Sequence, residues 1–150
     1  MPRLERLSAE HADRVLRFEV DNREYFTRSV ADRGDDYFAH FAERHAALLA
    51  EQERGLCHFH VLVDDDGSIM GRFNLYDVAD GEAELGYRVA QRCAGRGVAQ
   101  DGVRRVIARA RDEYGLRRLR AGTGDRNVAS QRVLRATGFV GGGQAYSLSL

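Results

Sequence analysis

One segment restricts the possible folds most strongly: an amphipathic helix that follows a glycine-containing loop and lies between two strand-like runs. Its apolar residues recur at i, i+4, i+7, i+8, i+11 and i+15, and they are Ala99, Val103, Val106, Ile107, Ala110 and Tyr114. The strand-like runs at residues 83–89 and 117–123 flank it. A strand, a helix and a second strand in this order predict a crossover between two parallel strands.

The rest of the chain predicts an antiparallel meander and further helices. Strands are expected at residues 58–63, 69–76 and 83–89, joined by the turns Asp64-Asp65-Asp66-Gly67 and Asp80-Gly81. The other expected elements are a short strand at 3–7, helices from Ser8, over 23–29, from Asp35 or Asp36 to Gly55 and from Asn127 to about Ala136, and a last strand region at 138–150. The predicted fold class is α/β or α+β, with a mixed sheet flanked by helices.

Composition restricts the class of protein further. The 150 residues are 43% hydrophobic and 31% charged, which predicts one domain over residues 1–150. No apolar run approaches the roughly 18 residues that a membrane span requires, and the start of the chain has no apolar signal-peptide core. Cys57, Cys93 and the histidines form no set with metal-ligand spacing. We therefore expect a cytoplasmic protein that binds neither metal nor membrane.

Charge is distributed unevenly along the chain, although the total is zero. Residues 1–86 hold 10 Arg against 19 Asp or Glu, a net charge of −9, and residues 87–150 hold 13 Arg against 4, a net charge of +9. Pairing of the two halves across a solvated surface is the simpler explanation. The alternative is that the basic half binds an anion and the acidic half attracts a cation. No nucleic-acid-binding motif accompanies the arginines, so no nucleic-acid partner is expected.

The loop before the amphipathic helix is a candidate anion site. The first backbone N–H groups of a helix have no acceptor within the helix, and the helix dipole favours negative charge there. Gly95 and Gly97 would let a phosphate approach this backbone. A tight strand-to-helix turn without any ligand explains the same glycines equally well.

Two further motifs extend the pattern, Ala83-Glu84-Leu85-Gly86-Tyr87 and the segment from Asn127 to Phe139, N-x-x-S-x-x-V-L-x-x-x-G-F. Taken alone, the second motif is a capped helix with a glycine stop. Together with the glycine loop and with Asn22-Arg23-Glu24-Tyr25-Phe26, they resemble the GNAT superfamily of acetyl-CoA-dependent N-acetyltransferases. The resemblance is strongest to the RimJ/RimL-like branch, the ribosomal-protein alanine N-acetyltransferases. It implies the GNAT fold, in which the parallel strand pair splays apart.

The resemblance implies where coenzyme A would bind. The family signature falls on residues 94–99, and the amides of Gly95, Arg96, Gly97, Val98, Ala99 and Gln100 would hold the pyrophosphate. Ala94 departs from the Gln or Arg usual at the first position, so one side-chain contact is lost. The strand through Tyr87 and Val89 would pair with the pantetheine arm, which Asn127 and Ser130 would also contact.

Catalytic roles follow from the resemblance and from the chemistry of the reaction. An amine attacks only when neutral, and a carboxylate near the thioester could remove its proton directly or through water. Glu84 is the candidate base, and Asp77 and Glu82, at strand ends, are further candidates. The alternative role of Glu84 is a solvent-facing strand residue. The backbone N–H of Tyr87 would stabilise the oxyanion. Many family members carry a Tyr where this chain has Leu134, so Ser130 becomes the candidate proton donor to the thiolate, unless it is only a residue of the first helical turn.

The resemblance also implies which acceptor and which partners to expect. The resemblance implies direct transfer of acetyl from acetyl-CoA to a primary amine, a protein N-terminus or a small amine, and a homodimer is compatible with it. Candidate acceptor contacts lie in the N-terminal helices and the hairpin: Tyr25, Phe26, Phe38, Phe73 and Asn74. The acidic residues 1–86 suit a cationic acceptor. The alternative function is an inactive coenzyme A-binding sensor or interaction module, which Leu134 favours.

Overall fold

A single sheet organises the computed structural model, which describes residues 1–124 and 127–150. Within these residues the strands are β1 (Arg3–Arg6), β2 (His58–Val63), β3 (Ile69–Ala79), β4 (Glu82–Val89), β5 (Arg118–Gly122), β6 (Val140–Gly142) and β7 (Ala145–Ser149). Their order across the sheet is β1-β2-β3-β4-β5-β7-β6. Neighbouring strands are antiparallel except for β4 and β5, which are parallel. The predicted mixed sheet with one parallel crossover is confirmed.

Helices cover both faces of the sheet. They are α1 (Ala12–Asp21), α2 (Arg23–Phe26), α3 (Asp35–Ala39), α4 (Phe41–Glu53), α5 (Val98–Asp112) and α6 (Val128–Ala136), with 3-10 turns at Ala9–His11 and Gln91–Cys93. Side chains alternate between faces along a strand. Phe73 and Tyr87 therefore point to the face that holds α5 and α6, here called the α5 face. Arg72 and Arg88 point to the face that holds α1 to α4, here called the α1 face.

The amphipathic helix takes the position that its apolar stripe predicts. Val103, Val106 and Ala110 of α5 are fully buried, and the helix lies on Phe73 beside Gly102. Arg105 and Arg109, on the polar side of the same helix, donate hydrogen bonds to the carbonyls of Pro2 and Leu4. The basic face of α5 therefore anchors the start of β1 as well as facing solvent.

Two predictions of element boundaries are wrong. The segment predicted as one helix from Asp35 or Asp36 to Gly55 is divided at His40, whose backbone dihedrals are φ −116° and ψ 32°. Tyr37 of α3 and Phe41 of α4 are both buried and their rings meet edge to face, so the apolar spacing continues across the break and hides it. Residues 138–150 form a hairpin of β6 and β7 rather than one strand region, because the chain turns at Gly143, which has a φ of +61°.

Within the residues that the structure describes, none of the helices combines the length and apolar character needed to cross a membrane.

Candidate active site

The parallel strands separate at the centre of the sheet. β4 pairs with β5 from Glu82 to Leu85, opposite Arg118 to Ala121. β4 continues to Val89 and stays paired with β3 on its other side. From residue 86 to residue 89, the side of β4 that faced β5 therefore has no strand partner among the described residues. Backbone groups on such an edge can pair with an extended ligand as with another strand.

The open edge of β4 leads into the glycine loop and α5. Gly97 is the residue before α5 and has a φ of +75°, and Gly95 has a φ of +72°. An added Cβ at either position would meet no atom within 4 Å, so open space surrounds this backbone. The first-turn amides after Gly97 face no acceptor within the helix. The loop thus has the local geometry of an anion site, with a backbone that favours glycine.

The side chains of Tyr87 and Ser130 meet on the α5 face beside this gap. The Tyr87 hydroxyl and Ser130 Oγ are 3.0 Å apart, and the Tyr87 ring stacks on Phe73 with 6.0 Å between ring centroids. Burial raises the pKa of the Tyr87 hydroxyl, and the hydrogen bond with Ser130 opposes that rise only in part. Tyr87 is therefore a neutral hydroxyl with a proton to donate at physiological pH. The two residues were predicted for different roles, and a contact between their side chains was not expected.

Asn127 caps the helix that carries Ser130. Its Oδ1 accepts a hydrogen bond from the Ser130 backbone N–H at 3.1 Å. This bond leaves the Ser130 hydroxyl free to interact with Tyr87. Leu134, at the position where many GNAT proteins carry a tyrosine, is 1% exposed and belongs to the core. No hydroxyl is available at that position of α6.

Glu84 lies on the opposite, α1 face. It is exposed, and across the sheet it is level with Tyr76 of β3 and Arg120 of β5. The Tyr76 ring lies over Gly86, where a Cβ would come within 2.8 Å of the ring. Glu82, two residues before Glu84, forms an ion pair with Arg120 at 2.9 Å. Glu84 is thus the carboxylate of this strand nearest to the point where β4 and β5 separate.

The structure separates the five candidate acceptor residues. Phe73 is fully buried beneath α5, with an exposed fraction of 0%, so no surface of it is left for an acceptor. Asn74 is also buried, but on the α1 face, where its amide donates to the Tyr76 hydroxyl at 3.0 Å. Tyr25, Phe26 and Phe38 lie in α2 and α3 on that same face. Phe26 and Phe38 each stack against a guanidinium, of Arg88 and Arg23 respectively.

A charged cluster on the α1 face was missed. Glu19 of α1 is 1% exposed and lies among Arg33, Arg72 and Arg88. Burial alone raises the pKa of Glu19, but the three guanidinium groups hold it below its usual value. A sequence signal did exist, because Glu19 falls on the apolar stripe of its helix. The partners could not be found, since Arg72 and Arg88 lie 53 and 69 residues away along the chain.

The histidines and cysteines form no alternative centre. Among the described residues, no group of three or more His, Cys, Asp or Glu is placed to hold a metal ion. His60 is buried with its Nδ1 2.9 Å from the Phe73 carbonyl and its Nε2 2.5 Å from the Tyr114 hydroxyl. Burial raises the pKa of the Cys93 thiol next to the glycine loop, which keeps it protonated. Neither His60 nor Cys93 belongs to the open edge of β4 at residues 86–89.

The structure thus has a splayed parallel strand pair with a glycine loop and a helix N-terminus at its open end, as the GNAT resemblance implies. Residues 3–140 match the family model described as the acetyltransferase (GNAT) domain. The match covers most of the chain, and the chain therefore belongs to the GNAT acetyltransferase family. The curated relative "Probable N-acetyltransferase YjcK" of Bacillus subtilis is 28% identical over 141 residues, which is 89% of this chain and 77% of that protein.

Solved structures share the fold. The ribosomal-protein-S5-alanine acetyltransferase of Vibrio fischeri superposes with a TM-score of 0.90 at 20% identity, over 99% of this chain and 92% of that chain. The Mycobacterium smegmatis RimJ, solved in complex with a CoA-disulfide, has a TM-score of 0.85 at 19% identity, over 99% and 81% of the two chains. At these identities the similarity shows that the fold is shared.

Proposed function

We propose that this chain is an N-acetyltransferase that transfers acetyl from acetyl-CoA directly to a primary amine while both substrates are bound. The observation that carries the proposal is the unpaired edge of β4 over residues 86–89, which leads to the open loop at Gly95 and Gly97. Membership of the GNAT family supports it, as does a similar structure that was solved with a coenzyme A derivative.

The proposed binding mode uses backbone groups for most contacts. The pantetheine arm pairs with β4 beside Tyr87 and Val89, and the pyrophosphate accepts hydrogen bonds from amides between Gly95 and Gln100, including those of Arg96, Val98 and Ala99. The helix dipole of α5 adds to this attraction. Asn127 contacts the pantetheine arm through the part of its side chain that the cap leaves free. Because the cradle is backbone, Ala94 in place of Gln or Arg removes only a side-chain contact.

The protein must assist the reaction in three ways: by removing one proton, by delivering another and by stabilising the oxyanion. The amine nitrogen attacks the thioester carbon, the C–S bond breaks, and the acetyl group stays on nitrogen while coenzyme A leaves as a thiolate. One proton must leave the amine, and one must reach the sulfur. Negative charge on the carbonyl oxygen must be stabilised between these events, and we assign this to the backbone N–H of Tyr87.

We assign the two proton transfers to opposite faces of the sheet. Glu84, on the α1 face, accepts the proton of the amine directly or through water. On the α5 face, Ser130 donates to the thiolate and takes a proton from the Tyr87 hydroxyl 3.0 Å away; water then returns a proton to Tyr87 and accepts the one held by Glu84. An acceptor that enters over the α1 face and a thioester that lies in the gap would place the reacting atoms between these groups.

A coenzyme A-binding module without transfer activity is the second candidate. The buried Leu134 favours it, because α6 then lacks the hydroxyl that many family members place there. The two candidates share the cofactor site and differ only in turnover. The Tyr87–Ser130 contact favours the enzyme, because it supplies hydroxyls that Leu134 does not.

Turnover against a panel of amines separates the two candidates. The release of free coenzyme A thiol is followed with acetyl-CoA and with amino acids, peptides of varied N-terminal residue, and polyamines as acceptors. The enzyme predicts thiol release that depends on the acceptor, with acetylated amine recovered in equal amount. Binding of acetyl-CoA with no acetylated product from any amine would support the module instead.

A further inference from the structure

The acceptor side of the sheet carries an excess of positive charge. Glu19 accepts hydrogen bonds from Arg33 Nε at 2.9 Å, Arg72 Nη1 at 2.9 Å and Arg88 Nη1 at 3.1 Å. One carboxylate thus meets three guanidinium groups. We call Glu19, Arg33, Arg72 and Arg88 the arginine cluster. Its formal charge is +2.

The surplus charge is held in a partly buried position. The Arg72 side chain is 4% exposed, and its Nε is a buried donor without a partner among the described residues. The Arg33 and Arg88 side chains are 31% and 21% exposed, so they reach the surface. Burial lowers the pKa of the Arg88 guanidinium, and the nearby Glu19 carboxylate, which raises that pKa, offsets the effect only in part. Withdrawing cations from water without enough counter-charge is costly, and a bound anion would offset that cost.

Aromatic rings hold two arginines of the cluster beside a shallow cleft at the surface. Arg88 stacks on Phe26, with the guanidinium carbon 4.5 Å from the ring centre, and Arg33 stacks on Tyr37 at 4.8 Å. A shallow cleft is lined by Arg33, Arg88 and Glu19 of the cluster together with Phe26, Phe38, Arg23 and Asp32. Arg23 does not add to the surplus, because it is already paired with Asp32 and Asp35. Arg33 already contacts Glu19 through Nε and Nη2, and Arg88 through Nη1, so the donors open to a second carboxylate are the nitrogens of these two arginines that do not contact Glu19.

The arginine cluster lies beside the point where β4 and β5 separate. Arg88 is two residues after Gly86 and points to the same face as Glu84. Two strand residues span roughly 6.6 Å, so an amine near Gly86 and a carboxylate near Arg88 fit within one small molecule or one N-terminal residue. The charge beside the gap is therefore opposite to that expected from the acidic residues 1–86.

We propose that the acceptor is an amine that carries a carboxylate a few bonds from the amine nitrogen, and that Arg88 and Arg33 bind this carboxylate. The inference rests on the proposed acetyltransferase function and names its substrate class. A free amino acid and the N-terminus of a polypeptide that begins with an acidic residue share this chemistry. A polyamine lacks it and would be repelled by the arginine cluster.

Matched acceptor pairs test the inference. Thiol release from acetyl-CoA is measured with β-alanine and its amide, with peptides that begin with Asp or with Asn, and with spermidine, each at equal concentration of neutral amine. We expect kcat/KM to favour the carboxylate member by about tenfold or more, as for a charge-assisted hydrogen bond. The free amino acid and the peptide show which source is preferred.

Arginine variants test whether the preference for carboxylate acceptors depends on Arg88 and Arg33. Arg88→Gln should raise KM for the carboxylate acceptor and remove the preference, while Arg88→Lys retains part of it and the affinity for acetyl-CoA stays unchanged. Because Arg88→Gln also alters the surroundings of Glu19, the more exposed Arg33→Gln is measured beside it. Arg111→Gln is the control, since Arg111 is exposed and paired with Asp112.

Three results would overturn the inference. Amides or spermidine turned over as well as the carboxylate acceptors would show that no carboxylate is recognised. A carboxylate preference that survives in both Arg88→Gln and Arg33→Gln would place recognition elsewhere. Absence of turnover with every amine, together with no binding of acetyl-CoA, would contradict the proposed function and the inference with it.

Discussion

Ser130 takes part in two hydrogen bonds that a substitution can separate. Its backbone N–H caps α6 by donating to Asn127, and its hydroxyl contacts Tyr87. Ser130→Ala should keep the cap, so the melting temperature should change little. If the hydroxyl passes a proton to the thiolate, turnover falls without a matching loss of acetyl-CoA affinity.

A double-mutant cycle tests whether Tyr87 and Ser130 act together. Tyr87→Phe and Ser130→Ala should each lower kcat, and the double variant should be little worse than the slower single one, because residues that act as a unit are not additive. Rates from steady-state thiol release provide the measurement. Additive losses in the double variant would show that the two hydroxyls act independently.

Glu84 is tested against its neighbour on the same strand. Glu84→Gln should lower turnover by about 10²- to 10⁴-fold, the usual range for a positioned acid–base group, with acetyl-CoA affinity nearly intact. The loss should shrink as pH rises towards the pKa of the acceptor amine, since neutral amine then forms without help. Glu82→Gln is the control, because Glu82 is engaged with Arg120. A rate for Glu84→Gln within about twofold of the unmodified protein across pH would remove Glu84 from the mechanism.

The N-terminus of α5 is the element on which cofactor binding depends. Gly97→Val places a branched side chain at a φ of +75°, where the backbone is proposed to approach phosphate. Gly67→Val is a matched control, because Gly67 has a φ of +87° and equally open surroundings in a turn outside the site. Both changes should destabilise the fold by about 1–2 kcal/mol, the cost of a left-handed residue.

Calorimetric titration with acetyl-CoA then distinguishes a loss of cofactor affinity from the backbone strain that both variants share. We expect Gly97→Val to weaken the affinity by about tenfold or more, as when a charge-assisted hydrogen bond to the pyrophosphate is lost. Gly67→Val should bind like the unmodified protein. Equal affinities in both variants would mean that the loop before α5 is only a turn.

The buried His60 of β2, which contacts Tyr114 just after α5, should make the fold sensitive to acid. Burial lowers the pKa of His60 from 6.5 to about 4. If Nδ1 donates to the Phe73 carbonyl, Nε2 is left to accept from Tyr114, and the ring is neutral in the folded protein. The unfolded chain binds this proton more readily, so stability is fully present above pH 6.5 and falls as pH drops towards 4.

The size of this effect follows from the shift. As pH falls to 4, protonation of His60 in the unfolded chain lowers the free energy of unfolding by roughly 3 kcal/mol. Thermal unfolding of the unmodified protein and of His60→Gln between pH 7 and pH 4 provides the test, because the variant lacks the titrating ring. The variant should show the smaller fall in melting temperature. Parallel curves would show that other groups cause the acid sensitivity.

At the scale of the whole molecule, features that depend on local sequence patterns could be predicted. Contacts between residues far apart in the sequence could not. The sustained apolar stripe of α5 and the strand runs beside it were sufficient to predict the parallel crossover. The break at His40 was hidden, because α3 and α4 both place their apolar residues in the core. The glycine loop could be located from sequence because its residues are consecutive.

The charged cluster on the α1 face could not be predicted in the same way. Glu19, Arg72 and Arg88 come from three elements, and only the fold shows that they meet. Phe73 and Asn74 are adjacent in sequence but point to opposite faces, so one proposed contact is in the core. The excess of acidic residues before residue 87 did not reveal this cluster, because a net charge does not show which charges surround a given position.

Amide hydrogen exchange with and without acetyl-CoA tests the central claim most directly. If the cofactor pairs with the free edge of β4 and its pyrophosphate rests on the start of α5, amides in residues 86–89 and 94–100 should exchange more slowly when it is bound. Helix α4 (Phe41–Glu53), away from the gap, serves as the internal reference and should not change. Slower exchange confined to other segments, or none in these two, would contradict the account.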